Sequence, residues 1–232
     1  MKPDQLDTNW LDHATASVKL LGSLVPLIGG PLSVLIAETI PNQRLDRIVK
    51  YLRYIEERLA NLEKKEIEGL LNDPERVDLV ESGGYLAARS TSPDRLERIA
   101  EIVFRGLSKN DTNLIRRKRL LTLFGEIDDD QFLILNAYGK SLGRISSQVW
   151  ETVDRPPPAT LGSSQEQLEN AALYEVGKQN LLRLGLLERK YDQVKKDSYP
   201  PFDPKSGGFK SRLEISHLGR MLLKEAGITL SF

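Results

Sequence analysis

Two histidines, His13 and His217, and no cysteine are all the imidazole and thiol chemistry that this 232-residue chain carries. That inventory excludes disulfides, thiol nucleophiles and cysteine metal sites, and it leaves a metal centre to be built mainly from carboxylates. No spacing gathers such carboxylates. The acidic triplet Asp128, Asp129 and Asp130 falls where a helix begins, and capping and dipole complementarity account for it. There is no Gly-x-Ser-x-Gly elbow, phosphate loop or dinucleotide fingerprint, and Gly83-Gly84 and Gly207-Gly208 lack the surroundings of a nucleotide loop. His13 falls on an N-terminal helix and His217 beside a cap, both surface or packing positions. The expectation is a protein without catalysis, cofactor or metal.

The residues left for recognition are cationic. Arg116, Arg117, Lys118 and Arg119 run consecutively between Leu114, Ile115 and Leu120, Leu121. Four successive cations must spread around a helix, so they read either as a solvated face tied by salt bridges or as a contact for phosphate of lipid or nucleic acid. A second group, Lys190, Lys195, Lys196, Lys205, Lys210 and Arg212, lies near one expected hairpin. The whole chain balances 33 Lys plus Arg against 33 Asp plus Glu, so any charge-driven partner must be met by a local patch.

The elements that would carry these groups begin with an apolar stretch, Val18 to Ile40, with no ionisable side chain from Leu20 to Ala37. Its length approaches the roughly 18 to 20 residues of a membrane-spanning helix. Its middle argues for a break, because Pro31 lacks an N–H, disfavours helix at Gly30, and stands beside two glycines. A helical hairpin follows, bearing Leu24, Pro26, Leu27, Ile28, Gly29, Gly30, Pro31 and Val34. Three readings stay open for it: buried core of a helical bundle, a membrane-inserting hairpin sheltered in the soluble state, or a surface for a protein partner or oligomer. Asp4, Asp7 and Asp12 stand where a secretory signal would be basic. A cytoplasmic protein is expected, at the inner membrane peripherally if the second reading holds.

After Pro41 the spacing predicts a helix over 43–71. Leu45, Ile48, Leu52, Ile55, Leu59 and Leu62 alternate steps of three and four, an a/d seam that packs either on the apolar hairpin of the same chain or in an oligomer. Asp73-Pro74 opens a helix to about Arg89, with an interruption at Gly83 and Gly84 left open, and Ser92-Pro93-Asp94 opens the next. A helix over 111–124 carries the four cations.

Gly125 closes that helix, and Asp128 with Gln131 forms a capping box for another. Three prolines at 156–158 mark an internal linker over 155–165. A long helix from Glu166 to Leu184 stops at Gly185, followed by strands at 186–194 and 209–215 and a closing helix that Ser216 caps. Helix, linker, helix, long hairpin, helix is the order of a winged helix. The fold class expected is mainly α: a helical bundle with an apolar hairpin over 1–125, then a winged-helix-like α+β module over 126–232.

Two segments, LLRLGLLER at 181–189 and SRLEISHLGRMLLKEAG at 211–227, resemble the C-terminal region of the bacterial abortive infection family alpha. The resemblance spans about the last 100 residues; for the helical half it rests on arrangement. It implies a role in bacterial antiviral defence and brings no catalytic residues to carry over. Winged helices more often read DNA with their last core helix. Here Gln165 to Phe232 holds eleven Lys/Arg against nine Asp/Glu, and the candidate recognition helix sets Glu166, Glu169 and Glu175 against Lys178 and Arg183. A protein partner is therefore expected ahead of DNA. A DNA-binding regulator and a structural oligomerising protein remain the alternatives.

Overall fold

The computed structural model describes residues 42–60, 69–70, 73–108, 114–141, 150–151, 153, 155–158, 160, 162–191, 199–204 and 207–230. Among these the protein is mainly helical, with a small strand region near the C-terminus. It divides into two compact units, Met1–Gly125 with Glu225–Gly227, and Glu126–Lys224 with Ile228–Phe232. The apolar hairpin over 18–40, and with it Leu24, Pro26, Leu27, Ile28, Gly29, Gly30, Pro31 and Val34, lies outside the described residues.

In the first unit, α1 (Asn42–Leu59), α2 (Pro74–Arg89), α3 (Pro93–Ser108) and α4 (Leu114–Gly125) pack together. The a/d seam of α1 faces inward: Leu45, Ile48, Leu52, Ile55 and Leu59 are all buried, and α1 lies against α2 and α3. The seam thus has partners within the chain besides the hairpin considered for that role. The helix expected over 43–71 ends at Leu59, with Ala60 in a turn. Leu62 lies outside the described residues.

Helix α2 starts as its residues dictate, with the Asp73 carboxylate accepting from the Glu75 N–H at 3.0 Å and Pro74 in the first turn. It runs unbroken through Gly83 and Gly84, both buried. The reason is packing: an added Cβ at Gly83 would stand 2.3 Å from the Tyr51 hydroxyl and 2.8 Å from Val103 Cγ2. Glycine here lets α2 close onto α1 and α3, and the contact offsets its poor helix propensity. Tyr51, fully buried, donates its hydroxyl to the Val80 carbonyl at 2.9 Å. On α4, Leu120, Leu121 and Phe124 complete the core, and the Arg95 guanidinium lies 4.7 Å from the Phe124 ring centre.

Among the described residues the second unit contains α5 (Asp129–Ser141), α6 (Gln165–Arg183), four short strands and all but the last residue of α7 (His217–Glu225). Asp128 caps α5 by accepting from the Gln131 N–H at 2.7 Å. Ser164 and Gln167 form a full capping box for α6. Gly185 adopts φ +70, the left-handed stop of α6, and turns the chain into β1 (Leu187–Tyr191). This strand pairs antiparallel with β4 (Ser211–Ile215), Leu187 opposite Ile215 and Lys190 opposite Arg212. The single strand expected over 209–215 is two. Gly208–Phe209 (β3) pairs with Phe202–Asp203 (β2), and β4 begins after Lys210. Pro200, Pro201, Pro204 and Gly207 confine the smaller ladder to two residue pairs, and the Lys210 N–H bonds the Pro201 carbonyl at 2.7 Å. Ser216 joins the pieces: its hydroxyl donates to the Gly185 carbonyl at 2.6 Å and accepts from the Gly219 N–H at 3.0 Å, capping α7.

Candidate functional site

The four consecutive cations of α4 diverge. Arg117 is buried and paired with the buried Glu225, both in the first unit, as a charge removed from water requires. Lys118 pairs with Asp78 of α2. Arg116 and Arg119 point outward. Arg117 and Lys118 at least are engaged by carboxylates, so the run does not present one basic face.

Sequence reading missed a charged cleft of about 360 Å³ in the same unit, lined by Arg58, Asp94, Glu97, Arg98, Glu101 and Arg105 with Ala226 and Gly227. Arg58 bonds Glu101 at 2.8 Å and Glu97 at 3.2 Å, and Arg105 bonds Glu101 at 2.6 Å. Burial pushes the Glu101 carboxyl up, but the hydrogen bonds and charges of Arg58 and Arg105 outweigh it and hold the group below its usual value. The spacing of Glu97, Glu101 and Arg105 along one helix face was a legible signal. The arrival of Arg58 from α1 was not.

In the second unit the strand cations do come together. Lys190 and Arg212 are cross-strand neighbours on one face of the β1–β4 ribbon. Glu188 and Glu214 share that face, with Lys190 on Glu188 at 2.9 Å and Arg212 on Glu214 at 2.6 Å. The ribbon therefore presents a near-neutral plaque. Lys210 is exposed beside an aromatic pair, Tyr199 stacked on Phe209 at 6.3 Å, with Phe202 also exposed. Lys195, Lys196 and Lys205 lie outside the described residues.

Helix α6 is the most exposed of the long elements. Gly177 and Leu181 are its buried residues, whereas Leu173 is 70% and Val176 63% exposed. Between α5 and α6 runs a groove of about 330 Å³, lined by Gln131, Ile134, Val153, Leu173 and Tyr174 among others. Near it, Tyr138 meets Trp150 edge to face at 5.1 Å. Burial, with smaller contributions from Tyr174 and Glu175 and against the opposing charge of Arg155, pushes the Tyr138 hydroxyl up to about 12. The outward face of α6 carries Glu169, Ala172, Leu173, Val176, Gln179 and Arg183, all exposed. That face is apolar at its centre, acidic at its start and basic at its end.

Among the described residues no group of three or more His, Asp or Glu could hold a metal ion, and no helix is long and apolar enough to cross a membrane. No family model, curated protein or solved structure matches the chain.

Proposed function

We propose that this chain is a non-enzymatic protein of bacterial antiviral defence whose C-terminal unit is a winged-helix-like module that works by protein contact. The observation that carries the reading is the face of α6. In a winged helix this element holds the recognition position. Here that element exposes Leu173 and Val176 beside Glu166, Glu169 and Glu175. An apolar and acidic face suits a protein partner, and it opposes phosphate. The pairing of Lys190 and Arg212 with Glu188 and Glu214 supports the same choice over duplex DNA. The inward turn of the α1 seam leaves oligomerisation through that seam with less support. The defence role rests on the two segments, 181–189 and 211–227, that resemble abortive infection family alpha. In this reading the charge-free run from Leu20 to Ala37 is the effector, released toward the inner membrane when the module is engaged.

The test is plating efficiency of a phage panel on bacteria expressing the full chain or its Leu173→Glu variant. The expected result is reduced plating with wild type and its loss in the variant, with circular dichroism showing that the variant is folded. No reduction with any phage of the panel overturns the defence reading. Protection that survives Leu173→Glu overturns the role of α6.

A further inference from the structure

The outward face of α6 has an internal symmetry that names its partner. Glu169 and Arg183 lie seven residues on either side of Val176, two turns each way, so all three share one face. Ala172 and Leu173 precede Val176 at the spacings that Gln179 and Asn180 follow it. A helix with this pattern is complementary to itself when reversed. An antiparallel copy sets Glu169 against Arg183 at both ends, Leu173 against Gln179, and Val176 on its own mate.

We propose that two copies of this chain pair through antiparallel α6 helices about a two-fold axis at Val176, Glu169 of each copy meeting Arg183 of the other. The interface is isologous, the commonest kind in soluble oligomers. Reversed helices also place each acidic N-terminal turn beside a basic C-terminal turn, the favourable sense for their dipoles. The charged ends are already positioned. Arg183 is held outward by Asn180, which accepts from its Nη2 at 2.9 Å and itself donates to Gln131 at 2.8 Å. The guanidinium touches Glu126 at only 3.5 Å, and its side chain stays 66% exposed. Glu169 is held from Gln165 at 2.9 Å. Between the ends, Leu173 and Val176 supply the apolar contact, and Ala172 lets the backbones approach.

The paired stretch is about 21 Å long. A two-helix contact of that length buries less than the roughly 1,200 Å² at which stable interfaces begin, so a weak dimer with a Kd of order micromolar is expected. The inference rests on the reading of α6 as a protein-contact surface and specifies its occupant.

The experiment is analytical ultracentrifugation of the full chain from about 1 to 300 µM, bracketing that affinity. The variants are Glu169→Arg, Arg183→Glu, the double exchange and Val176→Glu, each checked for folding by circular dichroism. Wild type associates with concentration. Either single reversal turns two attractive pairs repulsive and weakens association by about tenfold. The double exchange restores it to within about threefold, and Val176→Glu abolishes it. A wild-type chain monomeric across the range, or a dimer indifferent to the single reversals, overturns the proposal. Monomeric wild type together with loss of phage protection in Leu173→Glu would mean a different protein occupies α6, overturning self-pairing alone. A charge-exchangeable dimer with no phage protection would leave self-pairing standing and remove the defence reading.

Discussion

Replacing Gly83 by alanine puts a methyl carbon 2.3 Å from the Tyr51 hydroxyl oxygen, 2.9 Å from Tyr51 Cζ and 2.8 Å from Val103 Cγ2. Both neighbours are fully buried, so neither can swing into solvent. Alanine in an unstrained helix interior would gain about 1 kcal/mol over glycine. Against that, forcing a carbon into a filled core costs about 1–3 kcal/mol. Displacing Tyr51 also loosens its 2.9 Å hydrogen bond to the Val80 carbonyl, worth roughly 1 kcal/mol. The opposing effects leave a net destabilisation of about 2 kcal/mol. Urea denaturation of the full chain, followed by far-ultraviolet circular dichroism, reads this as a lower midpoint for the transition of the first unit. A double-mutant cycle sharpens the test. Tyr51→Phe removes the atom nearest the new methyl, so Gly83→Ala should cost less in the Phe background, with a coupling of about 1 kcal/mol. A Gly83→Ala protein as stable as wild type, or an additive cycle, would refute the close approach of α2 to α1 as the reason for this glycine.

Two further outcomes follow from the charged and capping groups. The Glu101 carboxyl has a folded value below its usual 4.5, so its contribution is fully present above that value and is lost as the pH falls through the depressed one. Glu101→Gln should therefore be less stable than wild type at neutral pH and show a flatter acid limb, measured by thermal melts between neutral pH and about pH 3; parallel limbs would remove the Arg58 and Arg105 bonds as the cause. Ser216→Ala deletes the cap of α7 together with the bond to Gly185, and about 1–2 kcal/mol of stability should go with it. An unchanged denaturation midpoint in that variant would show that the ribbon and α7 are held by packing alone.

Local chemistry was legible wherever one residue type acts on its own neighbours. Asp73-Pro74 and Asp128 announced helix starts, Gly185 a stop, and Ser216 a cap, because these act within a turn of the chain. The three-four spacing of Leu45 to Leu59 named the buried face of α1 for the same reason. Gly83-Gly84 was harder. A glycine pair signals either a break or a close contact, and which of them applies depends on Tyr51 and Val103, distant in the sequence. The capping box of Ser164 and Gln167 also acts within one turn, directly after the prolines that mark a linker.

Composition, period and punctuation thus determined that the chain is mainly helical, where most helices begin, and that histidine and cysteine chemistry has almost nothing to work with. Tertiary structure alone decided the fate of the charges. Adjacent residues in one basic run part company, Arg117 inward to Glu225 and Lys118 outward to Asp78, because a helix turns each side chain about a hundred degrees from the last. Lys190 and Arg212, twenty-two positions apart, become neighbours and are neutralised by glutamates on the same face, because strand register sets what shares a surface. The exposed face of α6 was equally out of reach, since amphipathic spacing shows which residues could be buried and only packing shows which remain uncovered.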